Sequence, residues 1–270
     1  MIVVTGATGN VGRSLVRTLL AAGEKVTAVS RTAEDPRHRA DLAAPETLRP
    51  VLDGADALFL LVPAPTLEAS AVIEAVAASG VRRVVLMSSL GARTRPSSPS
   101  HAPLRAVEDE LRATDLDWTV LRPGGFQSNA FAWAASVRES RTISAPFADV
   151  ALPHIHPIDI ADVAAASLLD PSHIGKTYEL TGPEPLTPRA QAAILADVLG
   201  EPIAFSEQTR EEAHAQMLTF MPAPFVDGTL DIIGSPTDEE RRVSPDSAAL
   251  LPHPPRTFAD WARENAAAFR

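Results

Sequence analysis

The sequence predicts an α/β fold, a doubly wound parallel sheet followed by a smaller C-terminal lobe, and three observations carry that expectation. The first is an opening β-branched run, Ile2-Val3-Val4, of the kind buried on both faces of a parallel sheet. The second is the adjoining segment, with glycines at positions 6, 9 and 12 and then Val11, Leu15, Leu19 and Leu20 at helical spacing, so that the glycines stand between a strand and a helix. The third is the continued alternation of strand and helix patterns along the chain.

Each element has its own warrant. A glycine turn between strand and helix leaves backbone N–H groups and the positive helix end free to face a pyrophosphate, and the missing Cβ atoms let it come close. Gly6, Gly9 and Gly12 therefore read as the phosphate turn of a Rossmann-type dinucleotide site, against the plainer reading of a bend with no ligand. Gly23 ends the first helix, and Lys25 to Ser30 reads as the second strand. At its end, where a carboxylate would accept from a ribose 2′-OH, stands Arg31. A guanidinium forks onto phosphate oxygens, so NADP(H) is the expected cofactor, with Arg37 or His38 as added charge; the alternative is a merely solvated strand-end residue.

Ala57 to Val62 is a buried strand after the Asp53-Gly54 turn, ended by Pro63 and Pro65. A helix over 67–79 carries Leu67, Val72, Ile73 and Val76, and Arg83 to Met87 is the next strand, running into Ser88-Ser89. Residues 91–103 read as a loop, 104–113 as a helix and Asp117 to Leu121 as a strand stopped by Arg122-Pro123-Gly124-Gly125. Strand ends of a doubly wound sheet share one edge with the glycine turn, so Val62, Pro63, Ser88 and Ser89 are expected to line the cofactor cleft. Beyond 126 the pattern loosens, apart from a helix at 158–169, a strand at 177–181, a helix at 188–199 and a closing amphipathic helix with Phe258, Trp261 and Phe269. The expected division is a dinucleotide-binding core over 1–125 and, over 126–270, mainly a substrate lobe with segments returning to the core.

Composition narrows the function. The formal charge is 24 − 34 = −10 with no basic block, which speaks against nucleic acid or an anionic membrane as the main partner and for a small-molecule substrate. The chain has no cysteine, which excludes disulfides, thiolate metal sites and a cysteine nucleophile, so redox chemistry must come from a cofactor. A core strand begins at residue 2 without a basic or cleavable apolar segment before it, and no run approaches the length needed to span a bilayer, so a cytoplasmic location is expected. A monomer or homodimer is expected as well.

Together, the opening Val-Thr-Gly-Ala-Thr-Gly-Asn-Val-Gly, Ser88-Ser89, the Asp-Trp-Thr-Val-Leu-Arg-Pro-Gly-Gly-Phe stretch within 108–129, Pro157-Ile-Asp-Ile-Ala-Asp-Val-Ala164 and Tyr178-Glu-Leu-Thr-Gly-Pro-Glu184 resemble one family. It is the NmrA-like branch of the atypical short-chain dehydrogenase/reductases, with its NAD(P)H:quinone oxidoreductase members. The resemblance implies cofactor contacts from Gly6, Thr8, Gly9, Asn10, Val11, Arg31, Asp41, Leu42, Val62 and Pro63. It also implies that Pro123, Gly124, Gly125 and Phe126 lie near the nicotinamide and that a substrate lobe comes after them.

One departure matters. The superfamily's acid is a Tyr with a Lys four residues on, whose ammonium lowers the phenol's pKa. Here the lone tyrosine, Tyr178, reads as structural, and alignment puts Ser100 and Leu104 where the pair would stand. Ser88 matches the superfamily's catalytic serine and is expected to donate to a substrate oxygen. His101 and Arg105 share an i, i+4 spacing that could face the nicotinamide, although Pro103 suggests that His101 precedes the helix. His154 and His156 would share a strand face, as substrate contacts or as ordinary interface histidines, with no third ligand for a metal site. Asp159 and Asp162 read as helix-start carboxylates. The expected function is an NADPH-dependent reductase of a small conjugated carbonyl or quinone. Two alternatives are a non-catalytic NADP(H) redox sensor and an NADP-using isomerase or cyclase.

Overall fold

In the computed structural model, which describes residues 1–35, 38–62 and 68–270, the β-branched opening forms strand β1 (Ile2–Thr5), buried along its whole length. Then come α1 (Gly12–Ala21), β2 (Val26–Val29), α2 (Leu48–Leu52), β3 (Ala57–Leu61), α3 (Ala69–Ala77), β4 (Arg83–Met87), α4 (Gly91–Thr94), α5 (Ala102–Arg112) and β5 (Asp117–Pro123). The chain continues through α6 (Ala134–Ser140), β6 (Thr142–Pro146), α7 (Pro157–Leu169), β7 (Lys176–Leu180), α8 (Pro188–Leu199) and β8 (Ala204–Gln208). It finishes with α9 (Arg210–Met217), α10 (Ala223–Gly234), α11 (Asp238–Arg241), α12 (Pro245–Leu250) and α13 (Phe258–Asn265). The expectations placed on Arg37, Pro63, Pro65 and Leu67 lie outside the described residues.

The chain forms two compact units, Met1–Pro123 with Pro157–Leu180, and Gly124–His156 with Thr181–Arg270. The first holds a six-stranded, all-parallel sheet in the order β2-β1-β3-β4-β5-β7. Strand order reverses between β1 and β3, and in such sheets ligands bind beyond the carboxyl strand ends at that reversal. The central strands bury both faces, with Leu58, Leu60, Val84, Leu86 and Val120 packed with Val72, Val76, Val107 and Leu111 of the helices. Their continuous apolar runs are what such burial demands. The second unit pairs β6 with β8 in a short parallel ladder, and its own core gathers Val137, Ile143, Leu195, Phe258, Trp261 and Phe269.

Three segments differ from the sequence expectation. The stretch 91–103 is not all loop: Gly91–Thr94 makes one turn of helix, with the Gly91 N–H donating to Ser89 Oγ at 3.1 Å, and α5 starts at Ala102. A single turn is too short to show periodicity. β5 runs on to Pro123, because its last residues pair with β7 through Arg122↔Glu179 and Pro123↔Leu180. Beyond 126, β6 and β8 lie far apart in sequence, and the helices of 210–250 are short; neither feature has a strong local signal.

A candidate cofactor cleft and an apolar cavity

The three glycines of the opening turn differ in what a side chain would meet. At Gly6 (φ +64°) a Cβ would strike Leu61 Cδ2 at 2.3 Å, and at Gly12 it would lie 2.2 Å from Gly6 O, so these two let the turn fold against β3 and α1. At Gly9 a Cβ would meet only Gly6 O, at 3.2 Å, and the rest of its surroundings are open. That open cradle fits a pyrophosphate. Thr5 anchors the turn from behind: its Oγ1 donates to Phe59 O (3.0 Å) and accepts from Leu61 N–H (2.8 Å). From the front, the guanidinium of Arg13 donates to Thr8 O at 3.0 Å.

A cleft of about 230 Å³ runs from this turn, with Gly6, Thr8 and Gly9 at one end and Val29, Ser30 and Arg31 along the end of β2. Arg31 is exposed and is the one charged side chain among the described residues that line it. Ala40, Leu42 and Leu48 supply an apolar wall. Asp41 shapes the loop carrying that wall: its carboxylate accepts from Ala43 N–H at 3.0 Å and its own N–H donates to Thr47 Oγ1 at 2.9 Å. The cleft thus offers a phosphate turn, a cation for a further phosphate and a flat apolar face for a base, a set that fits NADP(H). It brings together Gly6, Thr8, Gly9, Arg31 and Leu42 of the expected contacts, while Asn10 stays exposed at the turn and Val11 and Val62 are buried beside it. Leu48, on a helix too short for its pattern to show in the sequence, is a lining residue that sequence reasoning missed.

The two expected catalytic side chains are otherwise engaged. Ser88, at the end of β4, donates its only proton to Glu108 Oε1 at 2.5 Å. Glu108 is fully buried on α5 and also takes Arg122 Nε at 3.0 Å and Nη2 at 2.5 Å, with Arg112 Nη2 at 2.9 Å. Burial by itself would raise this carboxyl's pKa, but the hydrogen bonds from Arg122 and Ser88 and the charges of Arg122 and Arg112 outweigh it and hold the value below the usual one. A Ser88 hydroxyl that donates to substrate would first have to abandon this carboxylate. His101 occupies the N-cap position of α5, so it precedes the helix, with Nδ1 2.8 Å from Ser100 Oγ and its ring over Gly91. Arg105 does not join it; its Nε reaches Asp109 at 3.1 Å. Ser89 Oγ is the acceptor at the start of α4, Pro123 O accepts from Leu90 N–H at 2.9 Å, and Tyr178 OH lies 2.8 Å from His173 Nδ1, a structural place as expected.

Gly124, Gly125 and Phe126 fall in the second unit, where a cavity of about 180 Å³ opens. Phe126, Trp133, Leu152, Met217 and Ile233 give it an apolar lining, and Gln127, Asn129, His154, Gln191 and Thr229 give it polar points. No Asp, Glu, Lys or Arg lines it among the described residues. His154 is seated by two glycines: a Cβ on Gly125 would lie 2.5 Å from its ring, and one on Gly182 would lie 2.1 Å from its carbonyl oxygen. Burial lowers its pKa to about 4, so the imidazole is neutral at pH 7. Its Nδ1 lies 3.3 Å from Gln191 Nε2, and a hydrogen bond with the Leu152 backbone only partly offsets the effect of burial. His156 goes elsewhere; it is buried, with Nε2 3.3 Å from Glu264. The two histidines therefore do not act as a pair.

The reversal-point cleft and its phosphate turn define a dinucleotide-binding oxidoreductase. Residues 6–171 match the model of an NAD(P)H-binding family, and the chain belongs to it. Over its whole length it is 34% identical to the (4-alkanoyl-5-oxo-2,5-dihydrofuran-3-yl)methyl phosphate reductase of Streptomyces griseus, covering 99% of that protein. It is 31% identical to the NAD(P)H azoreductase of Xenophilus azovorans, again over 100% of this chain and 99% of the other. In fold it is similar to the NADPH-dependent quinone oxidoreductase of Escherichia coli complexed with NADPH, with a TM-score of 0.81 at 24% identity over 98% of this chain and 99% of that one. The expected NAD(P)(H) cofactor is borne out, and the fold is similar to that of NmrA, a negative transcriptional regulator, with a TM-score of 0.72 at 18% identity over 97% of this chain and 94% of that one. The protein is an NAD(P)H-dependent oxidoreductase. None of the helices among the described residues is long and apolar enough to cross a membrane.

Proposed function

We propose that the protein is a cytoplasmic, NADPH-preferring reductase of a small conjugated carbonyl or quinone, acting as a monomer or homodimer. The observation that carries the cofactor preference is Arg31, exposed at the end of β2 in the same cleft as Gly9, with no carboxylate among the described lining residues to compete for it. Its guanidinium would fork onto the 2′-phosphate while the turn around Gly9 faces the pyrophosphate and Leu42 and Leu48 cover the base. When bound, the reduced nicotinamide supplies the hydride, and a proton balances it on the product.

Support for the substrate class comes from the relatives. The dihydrofuranone named for the Streptomyces griseus protein carries a carbon–carbon double bond polarised by carbonyls, and a quinone carries the same electrophilic pattern. Such acceptors suit a chain with no Tyr–Lys acid, since an enolate or hydroquinone oxygen takes its proton from water. The test follows absorbance of the reduced nicotinamide with quinones, enones and simple ketones. Oxidation above the uncatalysed rate by the first two, faster with NADPH than NADH, is the expected result. An inert panel, together with a partner protein that distinguishes the NADP⁺ form from the NADPH form, would put the redox-sensor alternative first.

A further inference from the structure

Gln127 holds an orphaned acceptor. Its side chain is 2% exposed and lines the cavity of the second unit. Nε2 donates to His154 O and to Arg256 O, both at 3.2 Å, while Oε1 is buried with no hydrogen-bond partner among the described residues. Flipping the amide does not relieve this, because it would set Oε1 against two carbonyl oxygens. A buried unsatisfied oxygen costs about 1–3 kcal/mol unless something donates to it. Across the same lining, the His154 ring meets Gln191 Nε2 through Nδ1 at 3.3 Å and the Leu152 backbone, and Asn129 and Thr229 add an amide and a hydroxyl. The cavity therefore sets an unpaired buried acceptor and a few further polar groups in a largely apolar wall without formal charge, the pattern by which small-ligand sites fix orientation.

We infer that this cavity is a recognition site for an uncharged carbonyl compound of one or two rings that packs against the His154 ring and offers a hydroxyl or amino donor to Gln127 Oε1. The inference rests on the reductase reading for the carbonyl and goes beyond it in requiring a donor on the substrate and excluding an anionic one. Size is set by the volume of about 180 Å³, below the roughly 300–1,000 Å³ of drug-sized pockets. Neutrality is set by the lining: with no arginine or lysine among the described residues there, a phosphate or sulfonate would be desolvated without a counter-charge. In this respect the site is unsuited to the phosphate ester named for the Streptomyces griseus relative.

Three naphthoquinones separate the requirements: 2-hydroxymethyl-1,4-naphthoquinone, 2-methyl-1,4-naphthoquinone and 1,4-naphthoquinone-2-sulfonate. Binding is measured by calorimetry on the full chain saturated with NADP⁺, which prevents turnover, in enough salt to screen the net charge of −10. The hydroxymethyl compound is expected to bind about 10-fold tighter than the methyl one, one hydrogen bond's worth, and the sulfonate weakest. Gln127→Met should erase the first preference, and His154→Phe, which keeps a flat ring over Gly125, should affect both neutral compounds alike. Should either variant fail to fold, ¹⁵N-histidine NMR of the wild type serves, with the His154 ring resonances expected to move on adding the hydroxymethyl compound. Equal affinity for the sulfonate, or no hydroxymethyl preference with an unmoved His154, overturns the inference. Cofactor oxidation by all three compounds without that preference would leave the reductase reading standing and this one refuted; selective binding without any oxidation would do the reverse.

Discussion

The cleft of the first unit and the cavity of the second are both walled largely by apolar side chains, yet they face opposite electrostatic tasks. The cleft carries a glycine turn of backbone donors and one exposed guanidinium; the cavity carries a neutral imidazole, three amides and a threonine hydroxyl, with no formal charge among its described lining residues. In a chain of net charge −10 the difference is instructive. Backbone dipoles and a single placed cation suit a polyanionic cofactor, whereas a lining without counter-charges disfavours an anion through desolvation.

The largest effect that would break this contrast lies in the turn itself. Gly9→Val should abolish NADPH binding, a loss of at least ~100-fold, with circular dichroism almost unchanged, because its side chain enters open cleft space. Gly12→Val should instead damage the fold, since its Cβ would overlap Gly6 O. If Gly9→Val binds NADPH normally in calorimetry, the turn is only a bend.

Next in size, Arg31→Asp should reverse the cofactor preference. NADPH is expected to bind the wild type at least ~10-fold tighter than NADH, from a charge-assisted contact worth about 1.5–3 kcal/mol. Equal affinities in the wild type would remove Arg31 from the site.

In the second unit, Gly182→Ala forces a methyl against His154 O and should destabilise by about 1–3 kcal/mol in urea unfolding. NADPH affinity should stay within about twofold of wild type if the two sites are built independently.

Acid provides a finer separation. His154 has a folded-state pKa of about 4 against an ordinary value of 6.5, so its neutral form contributes nothing to pH dependence above 6.5 and the protein loses stability as pH falls from there toward 4. Glu108, whose pKa is depressed, adds its own loss only below its ordinary value of 4.5. His154→Phe should therefore flatten the stability profile between pH 6.5 and 4.5 and leave the more acidic limb; an unchanged profile would mean that another group titrates there.

The smallest effect is expected at Ser88. Ser88→Ala removes one of the hydrogen bonds to Glu108 and should cost about 1 kcal/mol of stability, with kcat reduced less than about threefold. A much larger fall in kcat at unchanged melting temperature would restore the serine as a donor to substrate.

These particulars show where the sequence was legible. The strand–glycine–helix order of Ile2 to Gly12 and the place of Arg31 in the same cleft could be read because such a turn is a local device: its strand, glycines and helix are contiguous, and the end of the next strand lies within one supersecondary unit. For Ser88 and His101 the surroundings were not legible, for the same reason in reverse. Their positions were legible but their partners were not, since Glu108 is 20 residues from Ser88 and the glycine beneath the His101 ring belongs to a helical turn too short to have a pattern. His154 stood out only as one of two alternate histidines, and nothing in the spacing said that one would line a cavity and the other meet Glu264.

By itself, then, the sequence determined the α/β class, the parallel strands, the phosphate turn and the cation beside it, because burial on two faces, helical period and missing Cβ atoms are properties of neighbouring residues. Only the tertiary structure decided which polar groups are engaged and which are left open. Ser88's proton goes to Glu108, Gln127 Nε2 is drawn to two distant carbonyls, and its Oε1 is left waiting, because hydrogen bonds are satisfied across the fold and not along the chain.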